Sequence, residues 1–143
     1  MTQPVYLIDA SIYIFRAWFA IPDGWYSPEG YSVNALYGYT QLLLKFLQIV
    51  RPTRVAAAYD ESLGSCFRNE IYPDYKSSRA LPDEALAFQL AACKSLTEIM
   101  GITSLASVRY EADDIIATLA SRAQQRGLSA SARQLLLVEI INE

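Results

Sequence analysis

The sequence predicts an α/β fold of three layers, in which helices cover both faces of a mostly parallel central sheet. Short apolar runs typical of buried strands alternate with longer segments whose apolar residues recur every three or four positions. Strands and helices that alternate in this way form parallel sheets with helices on both faces. The chain has 143 residues and is 52% apolar, which suits one domain with a real core.

Each predicted element has its own signal. The predicted strands are 5–8, 54–59 and 102–105, and the predicted helices are 33–50, 82–100 and 111–126. Pro52 ends the first helix, and Gly101 and Gly127 are suited to cap the other two. After Gly127 the alternation requires a fourth strand, for which residues 134–141 are a candidate, although a short helix fits them equally. The loops 21–31 and 61–80 are long for a compact domain, and long loops are often functional.

The overall charge and hydropathy exclude several classes of protein. The formal net charge is −3, so any phosphate binding must come from a local patch rather than from the charge of the whole chain. No apolar run reaches the ~18 residues of a transmembrane helix. The first residues lack the basic start and apolar stretch of a signal peptide, which predicts a cytoplasmic location.

The absence of histidine narrows the possible chemistry. It excludes Ser-His-Asp and Cys-His catalysis and any zinc site with histidine ligands. Catalysis would have to rely on carboxylates, metal-bound water, lysine or tyrosine. Cys93 fits the apolar face of a predicted helix and is expected in the core, and Cys66 lies in a polar loop without an activating neighbour.

Five acidic residues stand at the edges of apolar elements, namely Asp9, Asp60, Glu111, Asp113 and Asp114. Acids at the carboxyl ends of parallel strands point into the crevice where ligands bind. Clustered carboxylates repel one another, so such a cluster favours a divalent-metal site. Helix capping is the alternative, because acids favour the first turn, but capping accounts for only one or two of the last three.

A basic and aromatic segment lies between the second strand and the next helix. Its cations are Arg68, Lys76 and Arg79, and Phe67, Tyr72 and Tyr75 lie between them. Arginine and lysine bind phosphates, and tyrosines stack on unpaired bases. An ordinary solvated loop is the alternative. Arg16 is a further candidate for phosphate binding, or a structural ion-pair partner.

These segments together resemble the 5′→3′ exonuclease and flap endonuclease family of PIN-like nucleases, of the bacterial type found at the N-terminus of DNA polymerase I. The matching segments, in order, are Leu7-Ile8-Asp9-Ala10-Ser11 with Tyr13 and Arg16-Ala17, Gly30 to Gly38, Ala58-Tyr59-Asp60, Phe67-Arg68, Tyr75 to Arg79, and Tyr110 to Ala120. The resemblance covers residues 4 to about 127. It implies a three-layer, Rossmann-like (PIN-like) domain.

The resemblance implies roles for the matching positions. Asp9, Asp60, Glu111, Asp113 and Asp114 match acids that bind Mg²⁺ or Mn²⁺, with two ions in a complete member of the family. Lys76 and Arg79 match catalytic basic residues that steer and polarise the scissile phosphate. Phe67, Arg68, Tyr75 and Arg16 match positions on the nucleic-acid path. The implied substrate is DNA with a free 5′ end or flap, in replication and repair.

The chain departs from the family after Gly127. The Thr-Gly-Asp-Lys-Asp motif and the later helix-hairpin-helix region are absent, so residues 128–143 form a divergent tail and the sheet is expected to be incomplete on its C-terminal side. The missing acids belong chiefly to the second metal site. Three functions therefore stay open: an active nuclease, a non-catalytic module that binds metal or nucleic acid, and a PIN-type RNase. An incomplete sheet edge also predicts self-association.

Overall fold

The computed structural model describes residues 5–60, 84–107, 109–127 and 130–132, the last three by their backbone only. In chain order the elements are β1 (Val5–Asp9), α1 (Ala10–Ala20), α2 (Asn34–Val50), β2 (Arg54–Asp60), α3 (Glu84–Ile99), β3 (Thr103–Ser107), α4 (Ala112–Gln125) and β4 (Ala130–Ala132). No helix in this part of the chain is long and apolar enough to cross a membrane.

The sheet has four parallel strands in the order β3-β2-β1-β4. The side chains of Ile8, Ala57 and Tyr59 face α1, α2 and α3, where the core lies. Asp9 directly follows Ile8, so its side chain points to the opposite face of the sheet. Helix α4 packs on that face. The predicted three-layer α/β fold is confirmed, and the sheet is open rather than closed into a barrel.

The strands and helices follow the predicted order with small shifts of their ends. The third strand begins at Thr103, one residue late, because Ile102 completes the end of α3: its N–H donates to the Thr97 carbonyl at 3.1 Å. Gly101 adopts a positive φ of 85°, and its N–H donates to Glu98, so it caps the helix as predicted. Gly127 does the same for α4.

Two elements differ from the predictions. Helix α1 was not among the predicted helices. It starts directly after Asp9, its first turn contains no acid, and its buried residues pack on α2, so tertiary contacts support it. The fourth strand lies at Ala130–Ala132, earlier than the candidate segment 134–141, which is outside the described residues.

The core contains two polar clusters whose groups bond one another. Tyr39, Tyr59 and Thr97 form a buried triangle of hydroxyls at 2.6 to 3.0 Å. In the second cluster, the Asn34 amide donates to the carbonyls of Trp18 and Ile21 and accepts from Gln89. These bonds fix the beginning of α2 against the end of α1 and against α3. Both clusters satisfy their polar groups inside the protein, as buried polar groups require.

Candidate active site

Two of the predicted acids lie at the carboxyl edge of the sheet. Asp9 ends β1 and Asp60 ends β2, and the register pairs Asp9 with Ala58, two residues before Asp60. Helix α4 starts beside the same edge, because the backbone N–H of Ala112 donates to Asp60 Oδ1 at 2.6 Å. The end of β1, the end of β2 and the start of α4 therefore meet at the carboxyl edge of the sheet. The positions of Asp9 and Asp60 at strand ends predicted this edge.

Asp9 is a buried acid whose pKa is strongly raised. The residue is only 6% exposed, and its Oδ1 atom has no hydrogen-bond partner among the described residues. Burial, followed by the negative charges of Asp60 and Asp113, raises the pKa of Asp9 to about 7. A hydrogen bond with the Asp113 carboxyl acts in the same direction, and the Ile12 N–H opposes it.

Asp60 bonds to both neighbouring elements. Its backbone N–H donates to the Ser11 hydroxyl at 2.8 Å, and its carboxylate accepts the N–H of Ala112. Ser11 is the second residue of α1 and is 1% exposed. Asp60 therefore joins the starts of α1 and α4 at the end of β2.

The three acids at the start of α4 separate into two groups. Glu111 is the N-cap residue and forms a capping box with Asp114, whose Oδ2 accepts the Glu111 N–H at 3.1 Å. Asp113 is exposed, and its charge acts on the Asp9 carboxyl. Capping thus explains Glu111 and Asp114, whereas Asp113 faces the sheet edge. The metal-binding roles predicted for all three stay predictions.

The acids fit a hard cation by their chemistry but are not preassembled around one. Carboxylate oxygens are the ligands that Mg²⁺ prefers, and Asp9 offers a buried oxygen without a partner among the described residues. In the part of the chain that the structure describes, however, no three or more histidine, cysteine, aspartate or glutamate side chains stand together as a ready metal site. The charges of Asp60 and Asp113 both act on the Asp9 carboxyl.

Tyr13 and Ser11 border the acids and were missed as site residues. Tyr13 is 3% exposed; burial raises the pKa of its hydroxyl, Arg16 lowers it and Asp9 raises it. The Arg16 Cζ atom lies 5.6 Å from the centre of the Tyr13 ring. Their signals in the sequence are their place in the first turn after Asp9 and their inclusion in the first segment that resembles the nuclease family. Arg16, the predicted basic residue within the described part of the chain, is exposed and lies beside Tyr13.

The remaining predicted site residues lie outside the described residues. They are Phe67, Arg68, Tyr75, Lys76 and Arg79, together with Cys66. The other cysteine, Cys93, is fully buried in the core as predicted, and burial raises the pKa of its thiol to about 12. Such a thiol is inert at neutral pH.

Comparison with known proteins finds a matching family model and several relatives. The 5′-3′ exonuclease, N-terminal resolvase-like domain family matches residues 4–133, which include β4. DNA polymerase I of Mycobacterium tuberculosis (strain ATCC 25618 / H37Rv) is 38% identical over 122 residues, which cover 85% of this chain and 13% of the relative. DNA polymerase I of Geobacillus stearothermophilus is 35% identical over 129 residues, covering 90% and 14%.

A shorter relative is itself named a 5′-3′ exonuclease. The 5′-3′ exonuclease of Aquifex aeolicus (strain VF5) is 32% identical over 125 residues, which cover 87% of this chain and 43% of the relative. The chain therefore spans less than half the length of each of these three relatives. The family model matches most of the chain, and the relatives are named DNA polymerase I or 5′-3′ exonuclease. The acids at the carboxyl edge of the sheet are consistent with such a family. The chain belongs to the 5′-3′ exonuclease family, as an N-terminal resolvase-like domain of these nucleases.

Proposed function

We propose that this chain is a Mg²⁺-dependent nuclease domain that hydrolyses DNA phosphodiester bonds at 5′ ends or flaps. The observation that carries the proposal is the position of Asp9, a buried carboxyl at the sheet edge with two like-charged neighbours. A bound cation would remove the repulsion among these acids, since opposite charge favours the ionised carboxylate. The family of its relatives supports the choice of substrate.

Asp9, Asp60 and Asp113 are the residues that would hold the ion, joined by Glu111 and Asp114 in the arrangement that the family implies. A bound Mg²⁺ or Mn²⁺ would supply an acidified water, and the second ion of a complete family member would stabilise the leaving oxygen. The chain itself contributes ionised carboxylates and a positive charge at Arg16. Lys76 and Arg79, predicted to position the scissile phosphate, belong to the same proposal.

The experiment that tests the proposal is cleavage of a labelled 5′-flap DNA in the presence of Mg²⁺. We expect cleavage that EDTA abolishes and that Asp113→Ala lowers by at least about a hundredfold, the order expected when transition-state stabilisation of several kcal/mol is lost. Glu98→Ala removes an exposed carboxylate from α3 and is the matched control, with unchanged cleavage. Equal cleavage by wild type and Asp113→Ala would contradict the proposal. Single-stranded RNA of the same sequence tests the PIN-type RNase alternative.

A non-catalytic module that binds metal or nucleic-acid ends is the second candidate. The observation that favours it is that the acids of the described residues are not gathered into a ready metal site. Mn²⁺ or DNA binding by a folded chain that cuts neither DNA nor RNA would select this function. We also propose that two copies associate through the open sheet edge.

A further inference from the structure

Two hydrogen bonds join three elements at the carboxyl edge of the sheet. The Asp60 N–H donates to the Ser11 hydroxyl at 2.8 Å, and the Ala112 N–H donates to Asp60 Oδ1 at 2.6 Å. Ser11 and Ala112 are each 1% exposed, so neither bond is readily replaced by water. Removing one partner of such a bond leaves a buried donor unsatisfied, which costs more than the bond itself stabilises.

These bonds link the backbone segments that carry Asp9, Asp60 and Asp113. Asp9 is joined through Ala10 to Ser11, Ser11 bonds Asp60, and Asp60 bonds Ala112. Asp113 follows Ala112, and its charge acts on the Asp9 carboxyl. The three carboxyls repel one another when ionised, so some other contact must hold them close. The two hydrogen bonds from Asp60 are contacts of this kind, and Ser11 supplies the acceptor of the first.

We propose that Ser11 is a positioning residue, whose hydroxyl holds the end of β2, and through Asp60 the start of α4, at the distance from Asp9 that metal binding requires. The link to metal binding rests on the proposed function. Ser11 is not assigned any contact with metal or substrate. It acts through Asp60, as the partners of metal ligands do in other metalloproteins.

The first test measures hydrogen exchange of single amides by NMR in the metal-free protein. In Ser11→Ala we expect the amides of Asp60 and Ala112 to exchange at least about tenfold faster, since both lose protection together. Ser32→Ala is the matched control, because Ser32 is also buried and its hydroxyl lies 2.6 Å from Asp23 Oδ1 in the α1–α2 connection. It leaves both amides unchanged. Faster exchange at the Asp60 amide with unchanged exchange at the Ala112 amide would overturn the inference.

The second test measures Mn²⁺ affinity by calorimetry on the same folded variants. We expect Ser11→Ala to weaken Mn²⁺ binding about 10- to 100-fold, the usual effect of losing the partner of a metal ligand, and Ser32→Ala to bind as the wild type does. Wild-type affinity in Ser11→Ala, or an equal loss in Ser32→Ala, would overturn the inference. If the wild type itself binds no Mn²⁺, the proposed function fails, and amide exchange alone decides whether Ser11 holds the three elements together.

A second variant removes the other bond and covers the case in which Ser11→Ala does not fold. Ala112→Pro deletes the N–H that Asp60 accepts, at the first residue of α4, where proline is well tolerated. The preceding residue, Glu111, has the extended backbone that proline requires, with ψ 166°. We expect the same loss of Mn²⁺ affinity and faster exchange at Asp60. Unchanged affinity in a folded Ala112→Pro would contradict the inference.

Discussion

Asp9 shows most clearly how a residue suited to binding a cation weakens the fold that carries it. A carboxyl that is 6% exposed loses most of its hydration, and the charges of Asp60 and Asp113 make ionisation harder still. The structure nevertheless keeps an acid at this position, at the end of a buried strand. Such a perturbed group in a site is typical of function rather than of stability.

The pH dependence of stability follows from the raised pKa of Asp9. Its pKa is about 7 in the folded chain against 3.8 as the reference value, so the folded state binds more protons between these values. The resulting stabilisation is complete below the unfolded pKa and disappears as the pH rises through 7. We expect wild type in EDTA to lose about 2 kcal/mol of unfolding free energy between pH 5 and pH 8 that Asp9→Asn does not lose.

Urea unfolding at both pH values measures this difference. The control is Glu98→Gln, which neutralises an exposed acid and keeps the pH dependence of the wild type. A parallel loss of stability in Asp9→Asn and wild type would mean that Asp9 is not the group that titrates.

At the scale of elements, the contact between α1 and α2 depends on the absence of one side chain. A Cβ atom at Gly38 would lie 2.6 Å from Ile21 Cδ1 and 2.7 Å from Ala17 Cβ. The Ile21 side chain can rotate away, but the Ala17 Cβ can move only with α1. Close packing here places α1, and with it Ser11 and Tyr13, against the rest of the core.

Gly38→Ala therefore has two opposing effects on the free energy of unfolding: a stabilising gain in helix propensity and a destabilising overpacking. Alanine improves a helix by about 1 kcal/mol relative to glycine, whereas overpacking costs about 1 to 3 kcal/mol. We expect a net loss of about 1 kcal/mol in unfolding free energy, measured by urea denaturation. Gly24→Ala is the control, since nothing lies within 4 Å of a Cβ at that position. A Gly38→Ala variant as stable as wild type would show that α1 shifts without cost.

At the scale of the whole molecule, the sheet is open at both edges among the described strands. β3 pairs only with β2, and β4 pairs with β1 through three residues. The opposite faces are unequally covered, because α1, α2 and α3 lie on one face and α4 lies on the other. Open edges offer unpaired backbone groups to another chain.

Self-association is the prediction that belongs to this scale. We expect light scattering coupled to size exclusion to give the mass of a dimer at micromolar concentration, and a shift toward monomer on dilution. The reason is the open sheet edge, whose pairing with a second copy would satisfy its backbone groups. A concentration-independent mass near 16.0 kDa, that of one chain, would contradict it.

Much of the fold could be predicted because it depends on local patterns. Apolar runs indicated β1 and β2, periodic spacing indicated α2 and α3, and Gly101 and Gly127 marked helix ends through their backbone freedom. Helix α1 escaped prediction because its first turn contains no acid and its support comes from packing on α2. The buried bonds of Asn34 and Gln89 also escaped, since they join positions 55 residues apart.

The sequence by itself determined the family, the order of strands and helices and the edge of the sheet at which Asp9 and Asp60 lie. These follow from periodicity, from strand ends and from motifs that are read along the chain. Only the tertiary structure decided which acids meet. Spacing along a helix shows that Glu111 and Asp114 share a face, but not which face turns to the sheet. Packing of α4 places Asp113 beside Asp9 and leaves Glu111 and Asp114 to form the capping box, because the Ala112 N–H binds Asp60.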